Sequence, residues 1–243
     1  MKKGFTLAEV LITLGVIGVV AAITMPTLIN NYKKSAYVSK FKHTYSLLQQ
    51  AIALSQVENG PLDTWDYSAD PTDDANLTTF AEKYITPYLK IIKNCGTRTG
   101  EGCLPEKIIR LNSSEWPYGG IDSTGGYKIV LSNGVSLNIE YVQNCVENKT
   151  YCISFSANTE GNKKEVYMGR NQFYYDAYPG LNQIYPRGMY NNSADAQAGE
   201  ATDSSGNWKK RTQEELEKAC IENKAHSDWC GGLIVLDGYK MNY

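Results

Sequence analysis

Hydrophobic and polar positions divide this chain into two regimes. From Val10 to Ile29 the residues are mostly apolar, and no charge occurs between Glu9 and Lys33. At about 1.5 Å per residue that run makes ~30 Å of helix, enough to cross the core of a bilayer. An ordinary cleavable secretory signal has a shorter apolar region with a small-residue cleavage site behind it, which is absent here. From Ser35 to about Val57 the pattern changes. Val38, Phe41, Tyr45, Leu48 and Ile52 recur at spacings of three and four, which predicts an amphipathic helix continuing the first. Gly60-Pro61 stops it. The result is one helix of roughly fifty residues, and its apolar stripe needs a sheet to cover it. Pro26 removes one backbone donor inside the helix, so a kink or hinge is expected there.

Beyond the helix, residues 127 to 175 alternate with period two. YKIVL, the turn Ser132-Asn133-Gly134, VSLNIEY, YCISF and EVYMGRNQFYY predict three or four antiparallel strands. Residues 61 to 76, with Asp63, Asp66, Asp70, Asp73 and Asp74, read as a solvated acidic loop. Leu77 to Asn94 reads as two short helices broken at Pro87. Residues 191 to 207 are small and polar and read as a mobile surface loop. Thr212 to Ala225 opens with a capping box and predicts a short helix. Trp229 to Leu236 reads as a final buried strand. The expected fold is therefore α+β: a long kinked N-terminal helix, its outer half packed on an antiparallel sheet.

Charge is close to balanced, with 24 basic and 26 acidic residues, so no phosphate-neutralising surface is expected and no nucleic-acid partner is predicted. Tyrosine dominates the aromatics, 18 against 5 Phe and 4 Trp, which suits sheet faces and wet interfaces. Cys95, Cys103, Cys145, Cys152, Cys220 and Cys230 contain no C-x-x-C spacing, which argues against zinc. An even set in an exported chain implies disulfides, whose connectivity sequence alone does not choose. Sequential pairing is expected, best supported for Cys145 and Cys152, which the SLNIEY and YCISF strands place opposite each other. The histidines are His43 and His226. No catalytic motif or phosphate-cradling loop accompanies them, so no catalytic residue, metal or cofactor is assigned.

The remaining signal lies ahead of the apolar run, where Met1-Lys2-Lys3-Gly4 precedes Phe5-Thr6-Leu7-Ala8-Glu9. An unpaired carboxylate at the edge of hydrocarbon costs about 2 to 3 kcal/mol or more, so Glu9 calls for a cation. The string K-G-F-T-L-x-E before about twenty apolar residues resembles the leader of type IV prepilins and type II secretion pseudopilins. That resemblance implies cleavage by a prepilin peptidase between Gly4 and Phe5, methylation of Phe5 as the new N-terminus, and pairing of Glu9 with the terminal amine of a neighbouring subunit. Pro26 matches a proline common in that family's first helix. Gly18 and Ala22 form a small-residue pair that lets helices approach closely. Cys220 and Cys230 are similar to the disulfide-bounded C-terminal region of type IV pilins. Some pseudopilins bind calcium, but the acidic loop lacks their ligand segment.

The resemblance implies a leader at 1–4, a transmembrane and assembly helix at 5–31, its amphipathic half at 32–58 and an extracytoplasmic α+β domain at 59–243. Lys33, Lys34, Lys40 and Lys42 outnumber Lys2 and Lys3, and by the distribution of basic flanks this would place the body inside the cell. The leader and the cysteines place it outside. The implied partners are the prepilin peptidase, an assembly ATPase with its platform protein, identical or related subunits, and the bacterial cytoplasmic membrane before assembly into an extracellular or periplasmic filament. Three readings stay open: a pilus subunit, a type II secretion pseudopilin or minor pilin, and a membrane-anchored binding protein that does not polymerise.

Overall fold

A computed structural model describes residues 6–117, 119–161, 163–191, 208–222, 224 and 226–243. The leader and all but the first residue of the expected loop at 191–207 lie outside the described residues. Helix α1 spans Leu7–Asn59 and runs unbroken through Pro26, although proline leaves the carbonyl four residues earlier without its usual donor. At about 1.5 Å per residue it is ~80 Å long. It ends where the sequence places the stop: Gly60, at φ 82°, turns the chain and donates its N–H to the Gln56 carbonyl.

The sheet has six strands, β1 (Ile91–Gly96), β3 (Tyr127–Leu131), β4 (Ser136–Tyr141), β5 (Ile153–Asn158), β7 (Gln172–Tyr178) and β8 (Gln183–Pro186), side by side in that order. Every neighbouring pair is antiparallel. A separate parallel pair joins β2 (Lys107–Ile109) to β6 (Glu165–Tyr167). The sheet is wider than the three or four strands expected. β1 and β8 have mixed burial, so they carry little of the alternation that marks the central strands.

Two further expectations are corrected. Leu77 to Asn94 is not two helices: α2 (Asp74–Tyr84) is followed by a single 3-10 turn at Thr86–Tyr88 and then by β1. The β-branched pair Ile91-Ile92 favours the strand once Pro87 has ended the helix. Trp229 to Leu236 is not a strand: Ser227–Trp229 is a 3-10 turn that leads into α4 (Cys230–Leu236). A short apolar run has no period long enough to separate the two, and here packing decides. A Cβ on Gly231 would lie 3.2 Å from Pro186, and one on Gly232 only 3.0 Å from the Met189 backbone nitrogen. The two glycines let the helix lie directly on the chain beyond β8. Upstream, the capping box holds: Thr212 and Glu215 cap α3 (Gln213–Glu217), which continues into a π-helical turn.

The core lies between α1, α2 and one face of the sheet. Phe41, Leu48, Ile129, Leu137, Ile139, Phe155 and Tyr175 are fully enclosed there. Alternate residues of the same strands point to the opposite, outer face, which the described parts of the long β1–β3 connection cover.

Candidate functional site

The N-terminal helix is built for two different surroundings. Thr6 is its N-cap, and the Glu9 carboxylate reaches back to it. The Thr6 N–H and hydroxyl donate to Glu9 Oε2 at 2.8 and 2.7 Å, and the Glu9 N–H donates to Thr6 Oγ1 at 3.3 Å. This capping box satisfies orphan donors of the first turn and sets an anion at the positive end of the helix. Both bonds to the carboxylate use Oε2, so among the described residues Oε1 receives none and stays open to a cation. Gly4 and Phe5, the expected cleavage and methylation residues, lie outside the described residues.

From Leu7 to Ile29 the large apolar side chains are exposed, and none is buried among the described residues. Leu7 is 79% exposed, Ile23 70% and Leu28 69%. The segment has a mean hydropathy of 2.3 over its most apolar stretch and is long and apolar enough to cross a membrane. Pro26 lies within it, and a side chain on Gly18 would meet no atom within 4 Å, so this part of the helix presents a narrow, unobstructed face.

The other half is docked. Val38, Phe41, Thr44, Tyr45, Leu48, Ala51, Ile52 and Ser55 are buried. The rings of Phe41 and Tyr45 stack on Tyr175 of β7 at 5.6 and 5.8 Å. Two phenolic hydroxyls close the seam, Tyr175 donating to the Phe41 carbonyl and Tyr45 to that of Ile184, each at 3.2 Å. Both sit in apolar surroundings that push their pKa upward, so they stay neutral donors. Gln56 donates to the Asn182 carbonyl, and Asn182 Oδ1 accepts the Leu62 N–H, tying the helix end to the β7–β8 turn.

Three disulfides join Cys95 to Cys103, Cys145 to Cys152 and Cys220 to Cys230. The second bridges the connection between β4 and β5, and the third ties the π-turn to the start of α4. His43 is exposed on α1, and His226, also exposed, stacks on Trp229 at 4.3 Å. In the acidic loop, carboxylates close local turns. Asp66 accepts from Ser68, Asp70 from Thr72, and Asp73 caps α2 through the N–H groups of Ala75 and Asn76.

One cluster was not anticipated from sequence. On the outer face of the sheet Lys128, Ser136, Asn138, Ser154, Ser156, Gln172 and Asp176 are buried. Arg187 grips Asp176 through Nε and one terminal nitrogen at 2.9 and 2.8 Å and also donates to Ser154 Oγ. The only sequence signal is the alternation of polar residues along β4, β5 and β7, which by itself describes a solvated face.

With this geometry established, the chain can be set beside known proteins. A model described as a family of unknown function (DUF6613) matches residues 27–243, the docked helix and the whole body. The chain belongs to DUF6613. In this DUF6613 member residues 1–25 also match the prokaryotic N-terminal methylation motif. A relative from Escherichia coli (strain K12), prepilin peptidase-dependent protein D, is 27% identical over 103 residues, covering 42% of this chain and 66% of that protein. No solved structure matches. The methylation motif, that relative and the bare apolar helix together mark this DUF6613 chain as a type IV pilin- or pseudopilin-like subunit.

Proposed function

We propose that the chain is a structural subunit of a type IV pilus-like filament. In this reading prepilin peptidase cuts between Gly4 and Phe5 and Phe5 is methylated. The segments 5–31 and 32–58 then serve as assembly helix and docked stem for the body at 59–243. An assembly ATPase and its platform protein move subunits out of the cytoplasmic membrane, body outward, into a polymer of identical or related copies. No step asks the chain to catalyse a reaction on a substrate.

The observation that carries the reading is the bare half of α1 behind a matching methylation motif. A helix whose large apolar side chains stay exposed among the described residues needs either lipid or other copies of itself around it. Lipid supplies the first surroundings and a bundle of helices the second. Glu9 gives the bundle a register: a neighbour's terminal ammonium fits against the open Oε1 and removes two unpaired charges from an apolar interior. Contacts that repeat head to tail without closing extend into a filament.

Mass spectrometry of the native protein tests the first step, with Phe5, methylated, expected as the first residue. A chain that retains Met1, or is cut near Ala22, rules the reading out. Glu9→Ala is expected to leave cleavage and membrane insertion intact and to reduce incorporation into sheared filaments at least tenfold. Normal incorporation of that variant discards the charge pairing while leaving the processing step standing.

A further inference from the structure

The outer face of the sheet holds three polar groups whose positions make little sense apart. Lys128 on β3 is 0% exposed, yet no described carboxylate forms an ion pair with it. Among the described residues its Nζ donates to the backbone carbonyls of Thr97 and Arg98, at 3.4 and 3.3 Å. A lysine enclosed this fully is rarely left without an anion. Asn138 on β4 is 1% exposed, and its side-chain oxygen has no hydrogen-bond partner among the described residues. Glu140, two residues along the same face, has no cation in ion-pair contact among the described residues. Its Oε1 lies 2.6 Å from the Asn138 amide.

These three groups are neighbours. Lys128 and Asn138 are directly paired across the β3–β4 ladder, and residues so paired have Cβ atoms about 5 Å apart on one face, a gap that the lysine stem spans. A separation of 2.6 Å suits O–H···O better than N–H···O, and the two ends of an asparagine amide are assigned from their partners. Turned over, Asn138 accepts a hydrogen bond from a protonated Glu140 through its oxygen, and its amide nitrogen takes the enclosed position that the oxygen held. Gly126 and Gly119 press the covering segment onto the site. A Cβ on either would fall within 2.5 Å of Asn138 or of Glu140 Oε1, so Asn138 and Glu140 are held closely under that segment.

We propose that Lys128 and Asn138 join through an amide bond between Nζ and Cγ, with Glu140 carrying the proton. The uncharged amine of Lys128 adds to Asn138 Cγ while Glu140 donates to the carbonyl oxygen. Glu140 then takes a proton from the attacking nitrogen and delivers it to the amide nitrogen of Asn138. The Cγ–Nδ2 bond breaks, ammonia leaves, and the carbonyl re-forms as its oxygen returns its proton to Glu140. Amine plus primary amide gives secondary amide plus ammonia, so no oxidant, cofactor or partner enzyme is required. Ammonia has an exit: Glu140 and Gly119 line an open cavity of about 220 Å³ with Trp116, Tyr151 and Tyr174.

Electrostatics work in the same direction. Burial pushes the Lys128 amine down, against the opposing pull of Asp122, Asp74 and Glu140. Burial pushes the Glu140 carboxyl up, against Asn138, Arg187 and Lys128 and with help from Asp176. The uncharged amine and the protonated acid are the reactive forms. The product erases the unpaired buried charge and cross-links adjacent strands.

Tryptic mapping of the native full-length chain, reduced and alkylated, tests this. The expected result is no cut after Lys128, and a peptide spanning 111–149 that is lighter than its sequence by one ammonia. Lys128→Met is expected to give the same span at full mass, and Glu140→Gln, in protein with its disulfides formed, to restore cleavage after Lys128. Cleavage at Lys128 with both products at full mass in the native chain overturns the proposal, whether or not the variants fold. So does an ammonia loss that fragment ions place at Asn133, where Gly134 permits ring closure, or one that persists in Lys128→Met. A cross-link that forms undiminished in Glu140→Gln removes the proton carrier and overturns the mechanism.

Discussion

Asp176 has no exposed side-chain surface, and Arg187, which it holds at 2.8 Å, keeps 13%. Such a pair adds little over a well-packed apolar one, but losing Asp176 leaves Arg187 with only the longer contact to Asp228, at 4.0 Å, among the described ion pairs. Asp176→Asn is therefore expected to cost about 3 kcal/mol in chemical denaturation, with the body still folded. Glu140 makes a different prediction. Burial lifts its carboxyl above the ordinary 4.5, so the folded state keeps a proton that the unfolded chain has released. That contribution is complete below pH 4.5 and is lost as pH climbs through the raised folded value. Thermal melts from pH 4.5 upward should show the native chain losing stability and Glu140→Gln losing less. Neither residue announces itself in sequence. Ser136, Asn138 and Glu140 alternate with Leu137, Ile139 and Tyr141, a pattern that normally marks one wet face. Burial here comes from a distant excursion between β1 and β3, which no local pattern reveals. Glu9 could be read because a charge at the head of an apolar run is conspicuous in one dimension.

At the level of elements, α1 packs on the sheet through one aromatic and aliphatic stripe. Phe41 is fully enclosed, stacked on Tyr175 and set edge-on to Phe173 at 4.8 Å. Phe41→Ala is expected to cost about 3 to 5 kcal/mol, through lost burial and the cavity left behind, measured as a drop in the urea midpoint with unchanged slope. The docked stripe was legible because its period persists through Val38, Phe41, Tyr45, Leu48 and Ile52, long enough to exclude a strand. The central strands were legible through their alternation and through Asn133-Gly134. The C-terminal helix was not. Its seven residues are too few to show a period, and the glycines that usually argue against a helix are there to let it approach the chain after β8. β1 was hidden for a related reason, since three of its six positions are exposed and the strand borrows its identity from β3.

For the whole molecule, no buried residue of α1 precedes Val38, so the core owes nothing to the apolar segment. A chain starting at Lys33 is expected to be soluble, monomeric and as stable as the full-length protein, as judged by size-exclusion chromatography and thermal melting in matched detergent. Precipitation of that shortened chain would mean that the apolar segment contributes to the fold. The division between a helical stem and a β body was visible in sequence, whereas the sheet width and the parallel β2–β6 pair were not, since both depend on contacts between residues far apart. The stem itself has a mechanical corollary. Because the helix is continuous from its bare half to its docked half, a pull applied at its N-terminal end travels along the helix into the aromatic seam and loads it in shear. Rows of interlocked rings must then slide together instead of peeling away one at a time, a geometry suited to a part that works under tension.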